Sequence, residues 1–246
     1  MRRPLVLAAA LALAGCAAGE PLPNLAPGER PALHTDEAGL WMVTDRAEER
    51  LRSSGARLAD PDLEAYLQDI ACRLSPAHCD AVRIYVIEQP HFNALIMPNG
   101  AMEVWTGLLL RGESEDQLAL VIGHELAHFE RRHTLQQWRA IRSRAALAEV
   151  AGTLGGTPGS LLASSAFLVS TLAYSREQER EADELGIARL PNAGYDAREA
   201  AQVWQLVIDE QKRADEPASF VFLATHPAPA DRLAALQALA AVSYTH

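Results

Sequence analysis

The chain has 246 residues, 49% of them hydrophobic and 22% charged, a balance that suits one sizeable folded domain and excludes a disordered chain. Its formal charge of −10 excludes nucleic acid as a partner, because phosphate binding calls for a basic surface. The acidity itself reads as solubility.

At the start, Arg2 and Arg3 precede the apolar stretch Leu5 to Leu13. This is the pattern of a secretory signal peptide over 1–15, too short to span a membrane as a mature helix. Leu13-Ala14-Gly15-Cys16 resembles the bacterial lipobox, which implies cleavage before Cys16 and lipid modification of that residue. Losing Arg2 and Arg3 would take the charge from −10 to −12. Several acyl chains on Cys16 would hold the protein stably on a membrane, where one would not. Ala17, rather than Asp, follows the cysteine, and by the same resemblance this implies the periplasmic face of the outer membrane. Pro21, Pro23, Pro27 and Pro31 predict an extended tether over 16–33, so one domain is expected over 34–246.

Leu40, Val43, Ala47 and Leu51 predict a first helix over 36–52. Asp60 caps a second, with Pro61 in its first position and Leu63, Leu67, Ile70 and Leu74 on its buried face. Export would let Cys72 and Cys79 pair. A metal site using both cysteines and His78 is the rival reading, but its spacing matches no common zinc pattern, so the disulfide is favoured.

Residues 82–87, 93–97 and 101–105 predict three strands. Pro98-Asn99-Gly100 joins the last two as a hairpin. A helix capped by Ser114 runs from about Glu115 past His133. Residues 150–174 carry no charge, yet their glycines and Pro158 break the run, predicting buried helices ending near Thr153 and starting near Ser160. A greasy hairpin resting on lipid is the alternative. The second of these helices is expected to continue through Ser175 into the acidic run Glu177 to Glu184. An amphipathic helix over 200–211, a rigid loop over 225–229 and a closing helix over 230–241 follow. The fold class expected is α+β, mostly helical, with a small antiparallel sheet beside the long helix.

That long helix carries His124-Glu125-Leu126-Ala127-His128. Histidines four apart project from one face and reach one metal ion, while Glu125 lies beside the metal, placed to deprotonate a water. Eight His and twenty Glu in 246 residues would produce this motif by chance in roughly one chain in fifty, so a third ligand is needed. His133 falls five residues after His128. The metzincin pattern is excluded, because its Gly and His positions hold Arg131 and Thr134. A glutamate on a separate helix is the other common solution, with an acid one turn on to orient a ligand histidine. Glu179 with Asp183 and Glu177 with Glu181 both satisfy that spacing.

Ser175-Arg176-x-x-Glu179-x-x-Ala182-Asp183 with Gly186 resembles the second signature of the zinc metallopeptidases that include HtpX, the CAAX-prenyl endopeptidases and the periplasmic BepA and LoiP proteases. Asn93-Ala94-x-x-x-Pro98-x-Gly100 and His226-Pro227-x-Pro229-x-x-Arg232 resemble two further motifs of that family. The resemblance implies a gluzincin-type protease domain holding one Zn2+ per chain through His124, His128 and Glu179, with Asp183 supporting a ligand. It implies Glu125 as general acid and base, His226 and Arg232 as donors to the transition state, and Asn93 and Ala94 on a substrate-binding strand. His226 occupying the open zinc position of a latent form is the alternative for that residue. The expected substrates are unfolded or misassembled envelope proteins, with envelope assembly or quality-control proteins as further partners. No TPR-like partner module is expected after the domain. The alternative function is an envelope-protein chaperone or assembly factor with little proteolysis.

Overall fold

The computed structural model describes residues 24–35, 37–142, 174–213, 226 and 229–242. The signal peptide, Cys16 and the helix boundaries expected near Thr153 and Ser160 lie outside them. Helices α1 (Glu37–Ser53) and α2 (Pro61–Leu74) lead through a 3-10 turn to strand β1 (Arg83–Ile87). Strands β2 (Ala94–Ile96) and β3 (Ala101–Trp105), then α3 (Thr106–Arg111) and α4 (Glu115–Glu130), follow. Helix α5 covers 133–142. Beyond it come α6 (Arg176–Arg189), α7 (Ala197–Ala200), α8 (Val203–Arg213) and α9 (Pro229–Val242). No helix among the described residues is long and apolar enough to cross a membrane.

Local chemistry sets several boundaries as expected. The Asp60 carboxylate accepts from the backbone of Asp62 and Leu63, with Pro61 just inside α2, and Ser114 accepts from Gln117 N–H at the start of α4. Each cap satisfies donors that the first helical turn leaves free. Cys72 and Cys79 are joined, their Cα atoms 4.6 Å apart. By the chain-entropy model such a short loop contributes about 2.5 kcal/mol.

The sheet differs from the expectation of an antiparallel one. β2 and β3 form the antiparallel hairpin, but β1 pairs with β3 in parallel, Arg83 opposite Ala101 through Ile87 opposite Trp105, giving the order β1-β3-β2. The hairpin is a local property of Pro98-Asn99-Gly100, whereas the side on which β1 docks depends on contacts distant in sequence. Gly100 is essential to that arrangement. Its φ is +87°, and a Cβ there would lie 2.0 Å from the Ala81 carbonyl oxygen.

α4 is buried from Gln117 to Phe129, which is why its sequence reads as almost uniformly apolar rather than striped. It packs against β2, α2, α6 and α7, and its core neighbours include Leu67, Ile70, Met102, Val104 and Trp204. Packing begins earlier than His34, where the domain was expected to start. Leu25 is buried and joins Leu40, Trp41 and Leu135 in a separate cluster. The Arg132 guanidinium donates to Asn24 Oδ1 and to the Leu25 carbonyl, so the last proline-rich residues dock on the domain instead of leaving it.

Candidate metal centre and active site

Two helices, crossing closely, bring the site together. Gly186 on α6 faces α4, where a Cβ would stand 3.2 Å from the His124 nitrogen, so the absence of a side chain sets the helix separation. α6 does not continue an earlier helix, as its sequence suggested. Ser175 begins it with a capping box, accepting from Gln178 N–H while the Gln178 side chain accepts from Ser175 N–H. This fixes the phase of the helix one turn before Glu179.

His124 and His128, one turn apart on α4, bring their Nε2 atoms to 2.9 Å. Glu179 Oε1 lies 3.4 Å from His128 Nε2, and its Oε2 lies 3.6 Å from His124 Nε2. His226 closes the group, its Nδ1 3.0 Å from Glu179 Oε1 and 3.2 Å from His124 Nε2. All four side chains are buried, with their ligand atoms within 4.8 Å of one another. A tetrahedral centre with bonds of about 2.0–2.1 Å separates its ligand atoms by roughly 3.3–3.4 Å. The separations of 2.9 to 3.6 Å bracket that value, so two imidazoles and a carboxylate here fit a metal ion.

Burial lowers the pKa of His124 and, more strongly, of His128, favouring the neutral imidazole that a metal ligand must be. Burial alone would raise Glu179 and Asp183, but both carboxyls are held down, Glu179 by the surrounding histidines and Asp183 by Arg232. His226 is opposite: burial works against its charge, yet Glu179 and Glu125 raise its pKa. Burial pushes Glu125 up to about 7, near the value that suits a residue exchanging protons at neutral pH. Neither of its oxygens has a hydrogen-bond partner among the described residues, and His226 Nε2 stands 3.4 Å from Oε1. A fully buried carboxylate paired only loosely with a histidine, beside a ligand set, is a feature of functional sites rather than of cores.

Around the four residues lies a second layer. Asp183 Oδ1 is 3.0 Å from His124 Nδ1. Arg232 donates to both Asp183 oxygens at 2.7 Å, places Nη1 2.6 Å from Glu179 Oε2, and lies 3.9 Å above the Trp204 ring. Its charge is therefore engaged with carboxylates. Tyr174 stacks on His128 with ring centroids 3.8 Å apart, its hydroxyl 3.0 Å from Thr134 Oγ1. Tyr174 and Trp204 were missed from sequence, since neither carries a motif, although Tyr174 immediately precedes the Ser175 signature. Asn93 and Ala94 are not members of the ligand group but lie at the buried start of the short edge strand β2, which packs against α4. Asn93 Oδ1 has no hydrogen-bond partner among the described residues. A pocket lined by Gly28, Trp41, Ile96, Pro98, His128 and Leu135 adjoins this strand.

A family model described as peptidase family M48 matches residues 57–240, which include every residue of the cluster. The chain belongs to this family. M48 membership implies a metal, and His124, His128, Glu179 and His226 form the group able to hold it. Relatives agree. The chain is 33% identical over 196 residues to a Vibrio cholerae protein assigned as a beta-barrel assembly-enhancing protease, covering 74% of this chain and 40% of that one. Identity to the beta-barrel assembly-enhancing protease of Escherichia coli K12 is 29% over 200 residues, covering 75% and 40% of the two chains. The mitochondrial metalloendopeptidase OMA1 of Arabidopsis thaliana is 32% identical over 167 residues, 65% of this chain and 32% of that protein. The chain thus spans less than half the length of these M48 relatives.

Proposed function

We propose that this M48 chain is a zinc-dependent metalloendopeptidase. The observation that carries the reading is Glu125, fully buried beside a group of two histidines and a glutamate whose atoms lie at metal-ligand separations. His124, His128 and Glu179 would hold the zinc, which when bound supplies an activated water and a Lewis acid. Asp183 fixes His124 through Nδ1, and Arg232 fixes Asp183. Glu125 takes the proton of the attacking water and passes it to the leaving amine. Extended peptide adds to the edge of β2 near Asn93 and Ala94, the way strands are commonly captured, which favours unfolded chains over compact ones.

His226 stands with Nδ1 inside the ligand group rather than beyond it. That placement supports a resting form in which His226 fills the position that water or substrate needs. The lipobox at Cys16 supports a lipoprotein of the outer membrane, with its active site in the periplasm and with misassembled envelope proteins as substrates. Casein cleavage by the purified protein, with and without chelator, tests the reading. Wild type should cleave and chelator should stop it, and Glu125→Gln should bind zinc yet lose cleavage by about two orders of magnitude or more. Full cleavage by Glu125→Gln, or chelator-resistant cleavage, would remove the assignment.

A further inference from the structure

One histidine of the α4 region has no part in the chemistry above. His133 is completely buried, although it sits five residues after His128, a spacing at which two residues of a continuous helix point away from each other. The helix is not continuous. It ends at Glu130, and Arg132 takes a left-handed φ of +57°, turning the chain so that α5 starts with His133 folded back on the site. His133 Nδ1 then lies 2.9 Å from His128 Nδ1. On its other side, His133 Nε2 lies 3.2 Å from Glu181 Oε2, and Glu181 Oε1 accepts from Arg131 Nε at 2.8 Å.

We infer that His133 and Glu181 are positioning residues for the metal ligand His128. The inference rests on the zinc reading above. His128 faces the ligand group with Nε2, so as a ligand it must carry its proton on Nδ1. His133 Nδ1 must therefore accept, which puts the His133 proton on Nε2, where Glu181 accepts it. The chain of donors runs one way, from His128 to His133 to the Glu181 carboxylate. It fixes the tautomer and the ring angle of His128 and makes its Nε2 a better donor to a metal. His124 has the same support in one step, from Asp183, and His128 has it in two. Glu181 thereby finds a use beside Glu179 and Asp183, while Glu177 stays exposed on the solvent side, paired with Arg180 at 3.9 Å.

Competition of the full chain against a chromophoric zinc chelator tests this, together with nitrogen-15 NMR of the histidine tautomers in the zinc-loaded protein. His133→Phe and Glu181→Leu should weaken zinc binding, His133→Phe by about 10- to 100-fold. His133→Gln, which still offers an acceptor to His128, and Glu181→Gln should recover most of it. Glu181 is partly exposed, so its variants should fold as wild type does, and equal melting temperatures of the metal-free proteins would check that. Wild-type affinity in both His133→Phe and Glu181→Leu would overturn the inference, as would a His133 tautomer protonated on Nδ1. If wild type itself binds no zinc, the metal reading fails and takes this one with it, an outcome distinct from either of those.

Discussion

Replacing Gly186 by Ala tests whether the crossing of α4 and α6 sets the metal site. Two effects oppose each other. Alanine favours a helix over glycine by about 1 kcal/mol. Its Cβ, however, would lie 3.2 Å from the His124 nitrogen and 3.4 Å from the His124 Cα. These are backbone atoms of a fully buried helix, so the helices themselves must separate by a few tenths of an ångström. Such overpacking costs about 1–3 kcal/mol, leaving a net loss of roughly 0–2 kcal/mol. In a chain of this size each kcal/mol lowers the melting temperature by about 2–4 °C. The separation also moves Glu179 and Asp183 relative to His124, in a site where about 0.5 Å matters. Zinc affinity should therefore fall about tenfold even if the melting temperature barely changes. Thermal unfolding of the metal-free protein and chelator competition read the two effects separately. A variant more stable by about 1 kcal/mol with wild-type zinc affinity would refute the argument that this glycine sets the distance.

Other outcomes follow from the same geometry. Glu179→Ala should abolish stoichiometric zinc, measured by metal analysis after gel filtration; unchanged zinc would move the third ligand elsewhere. His226→Ala separates the two readings of that residue: casein cleavage should rise if His226 blocks the metal and fall if it stabilises the transition state, and the placement of Nδ1 predicts a rise. Glu48, buried and hydrogen-bonded by Arg83, Tyr85 and Asn99, has its carboxyl lowered from 4.5 to about 2, chiefly by Arg83. Its stabilisation is complete above pH about 4.5 and lost as pH falls toward about 2, a difference of up to about 3 kcal/mol. Acid unfolding of Glu48→Gln should lack that part of the slope.

The α4 helix and its Ser114 cap were legible because each depends on neighbours within a turn or two, whereas spacing left Glu179 and Glu177 equal and only the family resemblance chose between them. Periodicity placed His124 and His128 on one face, and the Asp60-Pro61 pair announced α2. Residues whose place depends on distant chain were not legible. The parallel docking of β1, the burial of Leu25 and the seating of His133 against Glu181 each require a partner well beyond the next turn or two of chain. The Ser175 capping box was written locally, as Ser with Gln three residues later, but the apolar stretch before it suggested one unbroken helix. The motif singled out Arg232 as a donor, but not its bonds to Asp183 and Glu179, which lie on a helix some fifty residues earlier.

The docking of Asn24 and Leu25 on Arg132 has a mechanical side. Arg132 holds the turn from which His133 reaches back to His128, and the chain upstream of Asn24 is tied to that same side chain. A pull along the upstream segment therefore loads the Arg132 turn together with the Leu25 contacts to α1. Asn24 and His128 stand in series, with one guanidinium and one imidazole between them.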